Sequence, residues 1–151
     1  MNKIVLFAGI LLLMGIVAPI NAAMTINETA DMLYSNNTGT WEYIRAVDKF
    51  VNENIDYRPN RGWSVKTLDF FWETRKGDCS EMAILKTAML IRNGIDAKVI
   101  HGYIPSGMLH DTVEIKVMGF PATWIDRRYY PGFHKTGDGI APGEFFVDVE
   151  V

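Results

Sequence analysis

The chain of 151 residues contains one cysteine, Cys79, and therefore no intramolecular disulfide. Small exported domains commonly rely on such bridges, so here packing has to supply the stability. Basic charge is scarce as well: 15 Lys and Arg stand against 18 Asp and Glu, a formal net charge of -3. Nucleic-acid binding needs a clustered basic face to neutralise phosphate, and that class of partner is excluded. No internal repeat, Pro-rich or Ser-rich linker, or low-complexity segment breaks the chain, which predicts one compact core. The short paired Cys and His spacings of structural zinc are missing, as is an Asp-rich calcium loop. No cofactor or metal is expected.

What is present begins with "MNKIVLFAGILLLMGIVAPINAAMT", where Lys3 precedes an apolar run from Ile4 to Ile20 and the small residues Ala22 and Ala23 follow. This is a signal-peptide profile over residues 1–23, with cleavage after Ala22 or Ala23. The run also approaches the roughly 20 residues that a bilayer crossing needs, so the alternative is an uncleaved anchor, the only membrane association expected. Either reading puts the remainder outside the cytoplasm. About 130 residues then remain, a usual size for one domain that buries roughly two-thirds of its unfolded surface.

Residues 24–39 are polar and weakly patterned, with Asn-x-Thr sequons at Asn27 and Asn36, and read as a surface segment. From 40 to 151 a single domain is expected. Ile44, Val47, Val51 and Ile55 recur at helical spacing after Thr40, a candidate cap. Pro59, Asn60 and Gly62 mark a turn, and Ser64 is placed to cap a short helix carrying Val65, Leu68 and Trp72 up to Gly77. A third helix follows at once, with Met82, Leu85 and Met89 as its stripe, Ala83 and Leu90 widening it, and Asn93-Gly94 as its stop. Then the period changes. Residues 96–104, 109–117 and 123–130 are rich in β-branched and aromatic residues and read as strands. A Gly-rich loop leads from them to a last apolar stretch, 145–151. Helices followed by antiparallel strands make an α+β fold.

Asp78 followed three residues later by Glu81, just ahead of an apolar periodic run, is an Asp version of the capping box. It sets Cys79 in the first turn of the third helix. Unpaired backbone N–H groups and the positive end of the helix dipole favour a thiolate there, and such an N–H can serve as an oxyanion donor. The competing reading is an ordinary cap with Cys79 tucked against the first strand. A cysteine nucleophile needs a base.

Three histidines are available. His101 is mid-strand and reads as a packed or surface residue, and His134 falls in the Gly-rich loop. His110 opens the second strand beside a turn, a rim position from which an imidazole reaches a helix start, and is the best base. Its acceptor is harder to identify. Asp111 should point to the opposite face, and Glu114 lies roughly 13 Å along the strand. A hairpin turn at Met118 to Phe120 sets Arg127 opposite His110 and Asp126 within one register step, so Asp126 is the geometric candidate, with Asp148 in reserve.

These stretches, "FVNENIDY", "RKGDCSEMAILKTAMLIRNGIDAKVIHGY", "HDTVEI" and "TWID", resemble the transglutaminase-like superfamily of papain-fold cysteine enzymes over residues 41 to 128, in a small, secreted microbial type. The resemblance implies a papain-like core of helices on an antiparallel sheet, with Cys79 as nucleophile, His110 as base and Asp126 as acid. Two positions depart from the family pattern: Thr112 stands where an aromatic residue is frequent, and Arg127 where proline often follows the acid. The implied chemistry is attack on an amide carbonyl through a thioester. Water as acceptor makes a protease, amidase or deamidase, with a peptide or protein substrate such as a cell-wall peptide or an isopeptide. An amine as acceptor makes a transglutaminase, for which Trp63, Trp72 and Trp124 are candidate shields. A binding module of the same fold, without turnover, is the alternative from another class.

Overall fold

The computed structural model describes residues 24–59 and 67–139. Its order is α1 (Ile26–Ser35), α2 (Thr40–Asn54), β1 (Asp56–Tyr57), α3 (Leu68–Thr74), β2 (Lys76–Gly77), α4 (Cys79–Arg92), β3 (Asp96–Tyr103), β4 (Leu109–Lys116), β5 (Thr123–Trp124) and β6 (His134–Asp138). The α+β arrangement expected from the period change is present. Four strands form an antiparallel sheet in the order β5-β4-β3-β6, and β1 and β2 make a separate parallel pair.

Helix α4 is the centre of the molecule, with α1 and α2 on one side and the β3-β4 hairpin on the other. Leu85 and Met89 of its stripe, with the flanking Leu90, are fully buried and meet Val47 and Val51 of α2 and Val113 and Ile115 of β4, whereas Met82 is half-buried and lines the cleft. Each such side chain contributes about 1.5–3 kcal/mol when removed from water, so this three-layer contact stands in for the missing disulfides. Tyr43 adds one polar tie inside the layer. Its hydroxyl donates to the Met89 carbonyl at 2.5 Å and accepts from Asn93 Nδ2 at 3.0 Å, and burial pushes its pKa up to about 12.

Several expectations need correction. Residues 24–39 contain helix α1, whose Thr25 accepts from the Glu28 N–H while Glu28 reaches back to the Thr25 N–H, and whose Ile26, Thr29 and Ala30 are buried. Gly39, without a side-chain bond, caps α2, and Thr40 is its first helical residue. Helix α3 is capped by Thr67 and ends in a left-handed Arg75 (φ 54°), two residues before Gly77. Ser64, Val65 and Trp63 lie outside the described residues, as do the leader, the stretch 145–151 and Asp148. The strand read at 123–130 stops at Trp124. The Gly-rich loop holds strand β6, whose approach to β3 depends on Gly102, where a Cβ would lie 2.2 Å from the His134 carbonyl oxygen. Among the described residues no helix is long and apolar enough to cross a membrane.

Candidate active site

Cys79 is where the local sequence puts it. Asp78 Oδ1 accepts from the N–H groups of Ser80 (3.0 Å) and Glu81 (3.2 Å), and Glu81 Oε2 accepts from the Asp78 N–H at 3.0 Å. This reciprocal cap, worth about 1 kcal/mol, sets the first turn of α4 and leaves Cys79 half-buried and free of disulfide. The segment entering it is held by the β1-β2 pair, in which the Asp56 N–H donates to Arg75 O at 2.8 Å and the Arg58 N–H to Gly77 O at 2.7 Å. Gly77 is required at that entry because a Cβ would meet the Phe71 ring at 2.2 Å. Tyr57 thereby lies near Cys79. Burial raises its phenol pKa, and the neighbouring Cys79, Asp78 and Tyr130 raise it further.

His110 begins the opposite wall. Its Nε2 pairs with Asp126 Oδ2 at 2.6 Å, and the two side chains are only 14% and 12% exposed. With Nε2 turned to Asp126, the rest of the ring faces the cleft that Cys79 also lines. Burial alone pushes the imidazole pKa down, yet the neighbouring Asp126 and Cys79 outweigh it and raise it from 6.5 to about 9. Both neighbours thus favour the protonated ring. Tyr130 packs on it with centroids 4.5 Å apart, and Phe133 stands edge-on at 6.2 Å.

Asp126 arrives by a turn. β5 pairs Trp124 with Glu114 and Thr123 with Ile115, one residue away from the expected register. Beyond Trp124 the chain bends, with the N–H groups of Tyr129 and Tyr130 donating to Asp126 O at 2.8 and 3.1 Å. The bend turns the carboxylate back to His110. Its other oxygen, Oδ1, accepts from Thr112 Oγ1 at 2.5 Å. Thr112 shares the His110 face of the strand, two residues along, so strand alternation was the signal by which this partner is recognisable in the sequence. The departure at Thr112 thus has a role, since it holds the acid.

The remaining candidates lie elsewhere. Asp111 points away from His110, as alternation requires, and bonds Ser80 Oγ and His101 Nδ1. Glu114 pairs with Lys98 at 3.4 Å and Lys135 at 3.5 Å, and His134 is exposed on β6. Trp72 packs on Phe50 and donates to Met24 O at 2.9 Å, while Trp124 donates to Tyr130 O at 3.2 Å, so neither lines the cleft. The aromatic walls are Tyr57, Tyr129 and Tyr130, around a cleft of about 240 Å³ that opens at Cys79, His110 and Asp126 and continues to Lys86 and Asn52. Among the described residues no group of three or more His, Cys, Asp or Glu is placed to hold a metal ion.

The model of the transglutaminase-like superfamily matches residues 27–129. No curated protein matches the sequence at a significant level. Among solved structures, a candidate cysteine protease from Cytophaga hutchinsonii superposes with a TM-score of 0.65 at 19% identity, over 81% of this chain and 44% of its own. The chain thus spans less than half of that protein. Legionella pneumophila LapG superposes with a TM-score of 0.55 at 14% identity, over 78% of this chain and 85% of its own. A TGase does so with a TM-score of 0.50 at 15% identity, over 72% of this chain and 33% of its own. At these identities the likeness is one of fold.

Proposed function

The chain belongs to the transglutaminase-like superfamily, and from that premise we propose that it is an exported Cys-His-Asp enzyme that hydrolyses peptide or isopeptide bonds through a thioester on Cys79. The observation that carries this reading is His110, which is bonded to Asp126 and shares one cleft wall with Cys79. An imidazolium in that position is the counter-charge a thiolate needs and the proton source a leaving amine needs.

In this scheme Sγ attacks the amide carbonyl carbon, and the N–H groups at the start of α4 hold the developing oxyanion. The C–N bond breaks as His110 delivers its proton to nitrogen, and the amine departs. The now neutral imidazole takes a proton from water, whose oxygen attacks the thioester. The C–S bond breaks, the acid leaves, and the thiolate and imidazolium are restored. An amine in place of water gives a new amide by the same steps. Hydrolysis is proposed ahead of transfer because water, unlike an amine substrate, needs no binding site of its own beside the thioester.

The test is alkylation of Cys79 by iodoacetamide as a function of pH, with intact mass as readout, in the wild type, His110→Ala and His101→Ala. Fast labelling at and below neutral pH that falls by about a hundredfold in His110→Ala is expected, with His101→Ala close to wild type. An ordinary thiol profile in all three would leave Cys79 structural and turn attention to the binding-module reading. Peptide substrates with and without added amine then separate hydrolysis from transfer.

A further inference from the structure

Cys79, Met82, Ala83 and Lys86 recur at helical i, i+3, i+4 and i+7 spacing and together form one wall of the cleft. Three of the four suit a wall packed against substrate or core. Lys86 does not: it is an ammonium in the middle of the central helix, with its side chain 9% exposed. A buried ion pair gains little over a well-packed apolar residue of the same size, so stability gives no reason to prefer lysine to methionine there.

The bonds around Lys86 have a direction. Nζ donates to Asp48 Oδ1 at 2.6 Å and to Asn52 Oδ1 at 2.9 Å, and Asn52 Nδ2 donates to the same Asp48 oxygen at 3.2 Å. Asp48 Oδ1 and Asn52 Oδ1 are thus engaged in the ring. An ammonium has three N–H donors and an amide two, which leaves one N–H on each of Lys86 and Asn52. Lys86 and Asn52 line the cleft, whereas Asp48 does not. The end of the cleft away from Cys79 therefore presents donors, with the neutralising carboxylate behind them.

We propose that Lys86 and Asn52 form a carboxylate subsite, so that the enzyme takes substrates bearing a free carboxylate about 10 Å from the scissile carbonyl, the rise of seven helical residues. This rests on the reading of Cys79 as nucleophile, which makes one end of the cleft the reacting end. A carboxylate is favoured over a neutral carbonyl because it accepts from both donors at once in charge-assisted bonds. A peptide with its own terminal carboxylate, or a side-chain carboxylate a short distance from the cleaved amide, has this chemistry.

The experiment uses N-(ω-carboxyalkyl)iodoacetamides of increasing chain length beside their methyl esters, with the labelling rate of Cys79 read by intact mass. At one chain length the acid is expected to label about tenfold faster than its ester, and this ratio should fall to about one in Lys86→Met and decline in Asn52→Leu. Because both probes report on one sulfur, the ratio is separate from the reactivity of the thiol. Fast labelling with a ratio near one at every length would overturn the subsite and leave the amide chemistry standing. Slow labelling with the ratio intact would do the reverse. A ratio that persists in a folded Lys86→Met also overturns the assignment, and if circular dichroism shows that variant unfolded, the ratios in wild type and Asn52→Leu decide.

Discussion

Two histidine-carboxylate pairs meet strand β4, one through His110 and one through Asp111, and each faces the first turn of α4, but the order of the groups differs. In one, His110 stands between Cys79 and Asp126. In the other, Asp111 stands between Ser80 and His101. The difference separates chemistry from support. An imidazole in the middle can take a proton from one neighbour while the other holds its ring, whereas a carboxylate in the middle only accepts, and ties a hydroxyl and a ring to itself. Burial runs the same way, since the His110 side chain is 14% exposed and that of His101 42%. The members of the two pairs on β4, His110 and Asp111, are neighbours, and strand alternation turns their side chains to opposite sides.

The sharpest way to break this comparison is to neutralise both acids. Asp126→Asn keeps the shape but loses the charge that orients His110 and favours its protonated form, and it is expected to lower turnover or Cys79 labelling by about a hundredfold. Asp111→Asn should cost less than a tenth of that, with its effect appearing in the melting temperature. Equal losses in the two variants would show that Asp111 takes part in the chemistry after all.

A smaller contrast comes from the hydroxyls. Thr112 is 2% exposed and is bonded to Asp126, so Thr112→Val leaves a buried carboxylate oxygen short of a donor. About 1–3 kcal/mol of stability should be lost, with a several-fold fall in labelling rate as Asp126 loosens. Ser80→Ala is expected to cost about 1 kcal/mol or less. Chemical denaturation of both variants measures the difference.

The gentlest probe is pH. His110 has a folded pKa of about 9 against an ordinary 6.5, so the folded chain binds that proton more tightly than the unfolded chain does. Its contribution to stability is present in full below 6.5 and is lost as pH rises through about 9. The unfolding midpoint of the wild type should therefore drop between those values by more than that of His110→Gln. A parallel pair of curves would remove His110 from the pairing.

How much of this was legible in the sequence depended on how local each signal was. The cap Asp78-x-x-Glu81 joins residues one turn apart, so its four letters identify it, and the stripes of α2 and α4 follow from helical period. Helix α1 carries the same signature, Thr25-x-x-Glu28, but its apolar face is short and its polar residues obscured it. The 123–130 strand was overextended because aromatic and β-branched composition does not say where pairing stops. The bend after Trp124 is stabilised by bonds to the Asp126 carbonyl and by Trp124 packing near Phe133.

The sequence alone was enough to show that Cys79 starts a capped helix and that His110 opens a strand, because both follow from spacing within a few residues, and its single cysteine rules out an intramolecular disulfide. The tertiary structure decided which acid meets His110, that Thr112 holds it, that Asp111 and His101 belong to a different cluster, and that Lys86 of α4 finds Asp48 and Asn52 of α2. Those pairings join residues far apart in the chain, and a single residue of register or one turn of helix moves a side chain to another face.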